Sequence, residues 1–177
     1  LHALVANHVV HGRVIFPGAG YLEMARAASV AEAQSSGYDA LRGVFFLQPL
    51  MLDLRREVSM ECVLSGDGRF QVRSRDTEST MPHSMGERVW TPSHAWRLRD
   101  VAAVRAVSPL VGAAAALFVM FDSVGLQYGP SYRTLRHASA GEKQAIAQLC
   151  ARHKHEGTRV HPADLDGALQ LAVTLSM

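Results

Sequence analysis

The sequence predicts an α+β fold in which antiparallel strands surround an apolar helix, and it predicts this twice along one chain. Three observations carry the reading. "VVHGRVIFPG" runs from β-branched residues into a Pro-Gly break, and "GYLEMARAASVAEA" follows with helical spacing. Three strand-like runs come next, the last two joined by the turn "SGDG". Beyond residue 100 the order partly recurs: an apolar helix, "AAAALFVMFDSVG", then two strand-like runs and a closing helix. No literal repeat accompanies the recurrence.

The elements follow in order. A strand is expected from Val9 to Phe16, ending at Pro17. The helix after it places Leu22, Ala25, Ala28 and Ser29 near one face, with Tyr21 and Met24 flanking and Gly37 as a stop. "LRGVFFLQPLML", "EVSMECVL" and "RFQVRSRD" are strands, and Arg69, Arg73 and Arg75 mark a solvated strand face. The polar residues 76–87 read as a loop, and "ERVWTPSHAWRLR" as a strand interrupted by Pro92. Residues 101–112 read as a linker. The last helix begins near Pro162 and Asp164, with Leu165 and Leu169 turned to the core and Gly167 lowering its propensity. The expected organisation is a first subdomain over 1–100, the linker 101–112, and a second subdomain over 113–177.

Composition narrows the function classes. Hydrophobic residues make up 48% and charged residues 19%, enough apolar material for a packed core. A net charge of +2 does not argue for nucleic acid. No apolar run is long enough to span a bilayer, so no membrane partner is expected. Cys62 and Cys150 cannot build a disulfide framework, which favours a reducing cytoplasm. The chain opens without a methionine and stops on the apolar "LAVTLSM", so it reads as a segment of a longer polypeptide.

His8 and His11 stand three apart, and on a strand such residues point to opposite faces. "HKH" at 153–155 could chelate weakly, yet neither stretch has the partners of a zinc signature, and no metal is expected. "GAG" at 18–20 lacks the spacing of a phosphate loop. That leaves acid–base chemistry. An imidazole such as His8 exchanges protons near neutral pH. Asp164 and Asp166 lie in the most apolar setting, and a carboxyl buried there would hold its proton. From the residues alone the plainer reading weighs more: His8 as an edge histidine and Asp166 as a helix-start residue.

Three motifs, taken together and in order, add to that. His8, Gly12 and Pro17 spell HxxxGxxxxP; "YGPSY" spans 128–132; "HPADLDGALQ" contains Asp166 and Gln170 four apart. In this combination the chain resembles the dehydratase domains of modular polyketide synthases and multifunctional fatty acid synthases, over nearly its whole length. The resemblance implies a double hot dog, two antiparallel sheets each wrapped around a central helix, incomplete here at both ends. It maps the catalytic base to His8 and the catalytic acid to Asp166, with Gln170 orienting the acid. Tyr128, Gly129 and Pro130 map to a loop near the active-site tunnel. Gly12, Pro17 and Gly18 shape the turn into the helix, whose first amides would hold the thioester carbonyl. His11 falls at a variable position. Asn7 stands where Asp is usual, and Tyr132 where Phe is common.

The implied reaction is loss of water from a β-hydroxyacyl thioester carried on the phosphopantetheine arm of an acyl carrier protein, with no cofactor. Other domains of the same synthase would be partners, and a homodimer is possible. A complete domain has strands before the histidine motif and after the aspartate helix, so the chain by itself is expected to be weakly active or inactive. Alternatives are a product-template-like cyclase, a non-catalytic carrier-docking remnant, and a hot-dog thioesterase, for which Glu23 is the available carboxylate.

Overall fold

A computed structural model of the chain describes residues 2–32, 38–53, 57–75, 79–91, 100–108, 110–142, 144–173 and 175. Contacts divide the chain into two units: Leu1–Val14 with Leu98–Met177, and Ile15–Arg97. The opening residues therefore group with the second half, not with the strands that follow them as the expected 1–100 subdomain had it. Main-chain bonding is the reason. Gly129 N–H donates to Asn7 O at 2.8 Å, Gln127 N–H to Val9 O at 2.8 Å, and His11 N–H to Gly125 O at 2.7 Å. The opening segment holds α1 (His2–Val5), β1 (Val9–Val10) and β2 (Arg13–Val14). The single strand expected from Val9 to Phe16 is instead a tight β1–β2 hairpin. His11 and Gly12, at φ 47° and 73°, make its turn. Both central residues of such a turn need positive φ, which Gly12 adopts without strain.

The Ile15–Arg97 unit contains α2 (Gly18–Glu32), β3 (Tyr38–Phe46), β4 (Ser59–Leu64), β5 (Arg69–Arg75) and β6 (Thr80–Thr91). The strands form one antiparallel sheet in the order β3-β6-β5-β4. Helix α2 packs against all four of them. β5 shows why the sheet has an inside: Phe70, Val72 and Ser74 are buried, while Arg69 and Arg75 at its ends are exposed. The arginine face is solvated and also paired, with Arg73 and Arg75 on Glu61 and Arg69 on Asp67. On α2 the buried set is Ala19, Gly20, Tyr21, Glu23, Ala25 and Ser29. Leu22, expected inside, is half-buried. The loop expected over 76–87 is strand from Thr80 onward. β6 pairs on both sides, so only one of its faces needs to be apolar. Pro92 lies outside the described residues.

The other unit continues with α3 (Val101–Ala106), β7 (Leu110–Ala113), α4 (Ala114–Ser123), β8 (Leu135–Ala140), β9 (Ala145–Leu149) and α5 (Pro162–Val173). The expected linker 101–112 is thus mostly a short helix and a strand. Asp100 starts the helix by accepting from Ala102 and Ala103 N–H at 2.9 and 3.1 Å. β7, β8 and β9 form an antiparallel sheet. Leu117, Phe118 and Phe121 of α4 build the core with Tyr128, Tyr132, Leu135, Ala138 and Ala163.

Helix α5 turns Ala163, Asp166, Gly167 and Gln170 inward, an i, i+3, i+4, i+7 face. Leu169 therefore falls on the opposite face and is exposed, against expectation, and Leu165 is half-buried. Gly167 is what lets this face approach the sheet. A Cβ there would lie 2.2 Å from Thr134 Oγ1 and 3.2 Å from Leu149 Cδ2. Gly167→Ala is expected to destabilise by about 1–3 kcal/mol through overpacking, even though alanine is the better helix former. Urea unfolding measures this, and an unchanged or raised midpoint would show that α5 has room to spare.

Candidate active site

His8 sits between α1 and β1, its N–H donating to Val5 O at 2.9 Å. The pairing of Asn7 and Val9 with Gly129 and Gln127 sets His8 beside Tyr128. The close approach requires glycine at 129, where a Cβ would meet Asn7 Oδ1 at 1.9 Å. Pro130 opens a 3₁₀ turn, Pro130–Tyr132, that brings Tyr132 back toward the histidine. The imidazole lies 5.6 Å from the Tyr128 ring and 5.2 Å from the Tyr132 ring. Tyr132 is fully buried, and its hydroxyl donates to Leu4 O at 2.6 Å. Gly12 N–H donates to Gln127 Oε1 at 2.7 Å, tying the hairpin turn to the same loop.

Asp166 enters from α5. Its Oδ1 stands 4.0 Å from His8 Nε2, and both side chains are buried. Gln170, one turn on, donates from Nε2 to Asp166 Oδ2 at 2.8 Å. Oδ1 is thus the oxygen turned to the histidine. Burial pushes the Asp166 carboxyl above the ordinary carboxylate range, against the opposing pull of His8 and of the Gln170 hydrogen bond. Burial, helped by the Asp166 charge, pushes the Tyr128 phenol up to about 12. The same causes raise Tyr132. The two phenols stay neutral at working pH.

The start of α5 is fixed by groups that sequence reasoning did not single out. His161 Nδ1 accepts from Ala163 N–H at 3.1 Å. Burial, then the nearby Arg152 charge, lowers the His161 pKa and keeps it the neutral acceptor this bond needs. Arg152 Nη2 binds Asp164 Oδ1 at 2.9 Å, and its Nε reaches both carboxylate oxygens at 3.2 Å. Asp164, the other candidate acid, is therefore engaged by arginine. The residue before the helix-starting Pro162 was the available signal for His161. Arg152 and Thr134 carried none, because their roles depend on tertiary approach.

The raised Asp166 pKa makes a stability prediction. A carboxyl raised in the folded state contributes fully at pH below its unfolded value, about 4. That contribution is lost as pH rises through the raised value. Asparagine cannot ionise, so the melting temperature of Asp166→Asn relative to wild type should climb between pH 4 and pH 8. A constant difference across that range in thermal melts would show that the carboxyl is not raised.

A family model described as "Polyketide synthase dehydratase domain" matches residues 1–75, and one described as "Polyketide synthase dehydratase N-terminal domain" matches 98–176. The chain belongs to the polyketide synthase dehydratase family. It is 34% identical to polyketide synthase GfsB of Streptomyces halstedii and 31% to ThaG of Burkholderia thailandensis, over 95% and 96% of its length. It spans only 3% of each of those proteins. The dehydratase domain from the CurF module of curacin polyketide synthase superposes with a TM-score of 0.86 at 22% identity, covering 98% of this chain and 66% of that one. A trans-AT polyketide synthase dehydratase domain from Brevibacillus brevis gives 0.81 at 26% identity, covering 97% and 69%. These likenesses support the double-hot-dog class.

Within this dehydratase-family chain, the structure brings His8, Asp166, Gln170, Tyr128, Gly129 and Gly12 into one neighbourhood, with Pro130 opening the adjacent turn. Pro17 and Gly18 belong to the Ile15–Arg97 unit, at the start of α2. Glu23, the carboxylate of the thioesterase reading, is buried in that unit and bound by Arg26 at 2.6 and 2.7 Å. His11 is exposed at the hairpin turn. His153 and His155 are exposed outside any strand. Among the described residues no three His, Cys, Asp or Glu side chains gather as a metal site. Nor, among them, is any helix long and apolar enough to cross a membrane.

Proposed function

We propose that this chain removes water from a β-hydroxyacyl thioester, giving the α,β-unsaturated thioester during polyketide or fatty acid chain processing. The observation that carries the proposal is the buried His8–Asp166 pair, 4.0 Å apart between two neutral phenols. His8 Nε2 takes the α-proton, and the electrons of that C–H bond form the new double bond. Asp166 Oδ1 gives its proton to the departing β-hydroxyl, which leaves as water. Histidinium and carboxylate then face each other, and return of the proton from Nε2 to Oδ1 restores both groups for another turnover. Gln170 holds the carboxyl by its other oxygen, which keeps Oδ1 directed at the histidine. Burial, which raises the Asp166 carboxyl, favours the protonated form that a general acid needs.

The substrate is carried on the phosphopantetheine arm of an acyl carrier protein, alongside other domains of the same synthase. The setting is the cytoplasm, in keeping with the free thiols Cys62 and Cys150. The test is mass spectrometry of a β-hydroxyacyl pantetheine thioester incubated with the complete dehydratase domain that carries this chain. Loss of one water with the thioester intact is expected. Free acid would point to thioester hydrolysis instead, and an unchanged substrate would contradict the proposal.

A further inference from the structure

Tyr132 stands where phenylalanine is common, and the hydroxyl that tyrosine adds is engaged. The side chain is 0% exposed, and its hydroxyl donates to Leu4 O at 2.6 Å, across 128 positions of sequence. Leu4 lies in α1, a helix of four residues. A turn that short is not stable by itself, because helix nucleation fixes several residues for one hydrogen bond. Tertiary contacts hold it instead, among them the buried side chain of Val5 and the Tyr132 hydroxyl. His8 hangs from this turn. Its N–H donates to Val5 O at 2.9 Å, the carbonyl next to the one that Tyr132 holds.

The same tyrosine reaches the other end of the segment. Its main-chain N–H donates to Gly129 O at 3.0 Å, and Gly129 N–H donates to Asn7 O at 2.8 Å. Leu4 and Asn7 are thus bonded to the two ends of one turn, residues 129–132, and the loop of bonds closes through Tyr132. His8 follows directly after it. The phenol ring also lies 5.2 Å from the imidazole and stacks on the Tyr128 ring at 6.4 Å and 10°. A phenylalanine would keep both ring contacts and remove only the donor to Leu4 O.

We infer that Tyr132 is a positioning residue for His8: its hydroxyl, through Leu4 O, fixes the α1 turn that holds the histidine's main chain. It acts through α1 and does not touch substrate. Holding His8 matters to catalysis only under the dehydration reading, on which this role rests. The tie to Leu4 does not depend on that reading.

Tyr132→Phe in the complete dehydratase domain that carries this chain is the test, with two readouts. The first needs no turnover. Diethyl pyrocarbonate acylates neutral imidazoles, and peptide mapping reads each histidine separately. His161 is buried in the same unit and serves as the internal control. Tyr132→Phe should speed modification of His8 by about threefold or more, within the worth of one buried hydrogen bond, and leave His161 unchanged. A hydroxyl that only stabilised the unit would speed both histidines together, and that result, or no change at either, would overturn the assignment. The second readout is turnover of a β-hydroxyacyl thioester. Tyr132→Phe should lower kcat by roughly two- to tenfold, the same hydrogen bond expressed as a rate, and leave KM unchanged. In a His8→Ala background the substitution should cost no further rate. An undiminished loss there would show that Tyr132 acts on something other than His8, and would also overturn the assignment. If His8 alone becomes more reactive while neither protein turns the thioester over, the positioning role stands and the dehydratase reading fails.

Discussion

His8→Ala and Asp166→Asn should each lower turnover of a β-hydroxyacyl thioester by about 10²–10⁴-fold, the worth of a positioned general base or acid. Both changes should leave the fold intact. His8→Ala removes a ring that lies beside two tyrosines but leaves its main-chain bond to Val5. Asp166→Asn keeps the shape and can still meet Gln170, and it removes a buried ionisable group. The contrast is His11→Ala, which should keep turnover within a few-fold. His11 pairs with Gly125 through its main-chain N–H, which the substitution keeps, and its side chain is exposed. Steady-state rates with circular dichroism as the folding control decide this. If His11→Ala were as damaging as His8→Ala, the base would be misassigned. If Asp166→Asn were nearly silent, the acid would lie elsewhere.

Phe121→Ala should cost about 3–5 kcal/mol of stability, the range for an aromatic removed from a packed core. Phe121 is 2% exposed and meets Tyr128 edge-on at 5.7 Å and Phe118 at 6.1 Å. Removing it leaves a cavity behind the ring that lines His8, so turnover should fall along with stability. Val119, two residues away on α4, is 71% exposed. Val119→Ala should therefore stay within about 0.5 kcal/mol. Urea unfolding of the two variants under matched conditions is the check. Equal midpoints would mean that α4 is not the core helix described here.

The sequence and the structure agree most closely where a local pattern sufficed. Helix α2, the β4–β5 hairpin and helix α5 follow from spacing and turn residues that the chain carries in place. The candidate pair was legible only as motifs. Nothing local in "NHVVHG" says that His8 faces Asp166, because the contact is made through long-range pairing of Asn7 and Val9 with Gly129 and Gln127. The same pairing explains why the expected 1–100 subdomain loses its first residues to the other unit. His11 and Gly12 were read within a continuous strand because β-branched neighbours hide a two-residue turn that needs positive φ. Leu169 was placed inside on hydrophobicity. The approach of Gly167 to Thr134 selects a small and polar inward face instead. Polarity makes residues 76–87 read as a loop, which fails from Thr80 onward for a strand paired on both edges with one face in solvent.

The most direct measurement is a double-mutant cycle on the rate of water loss, using His8→Ala, Asp166→Asn and the two combined. Residues that act on one substrate in one step are lost together when either is removed. The account predicts that the double variant is no slower than the slower single variant. Losses that multiply, with the double variant slower by the product of the two single effects, would show that His8 and Asp166 act independently and would contradict the acid–base pair.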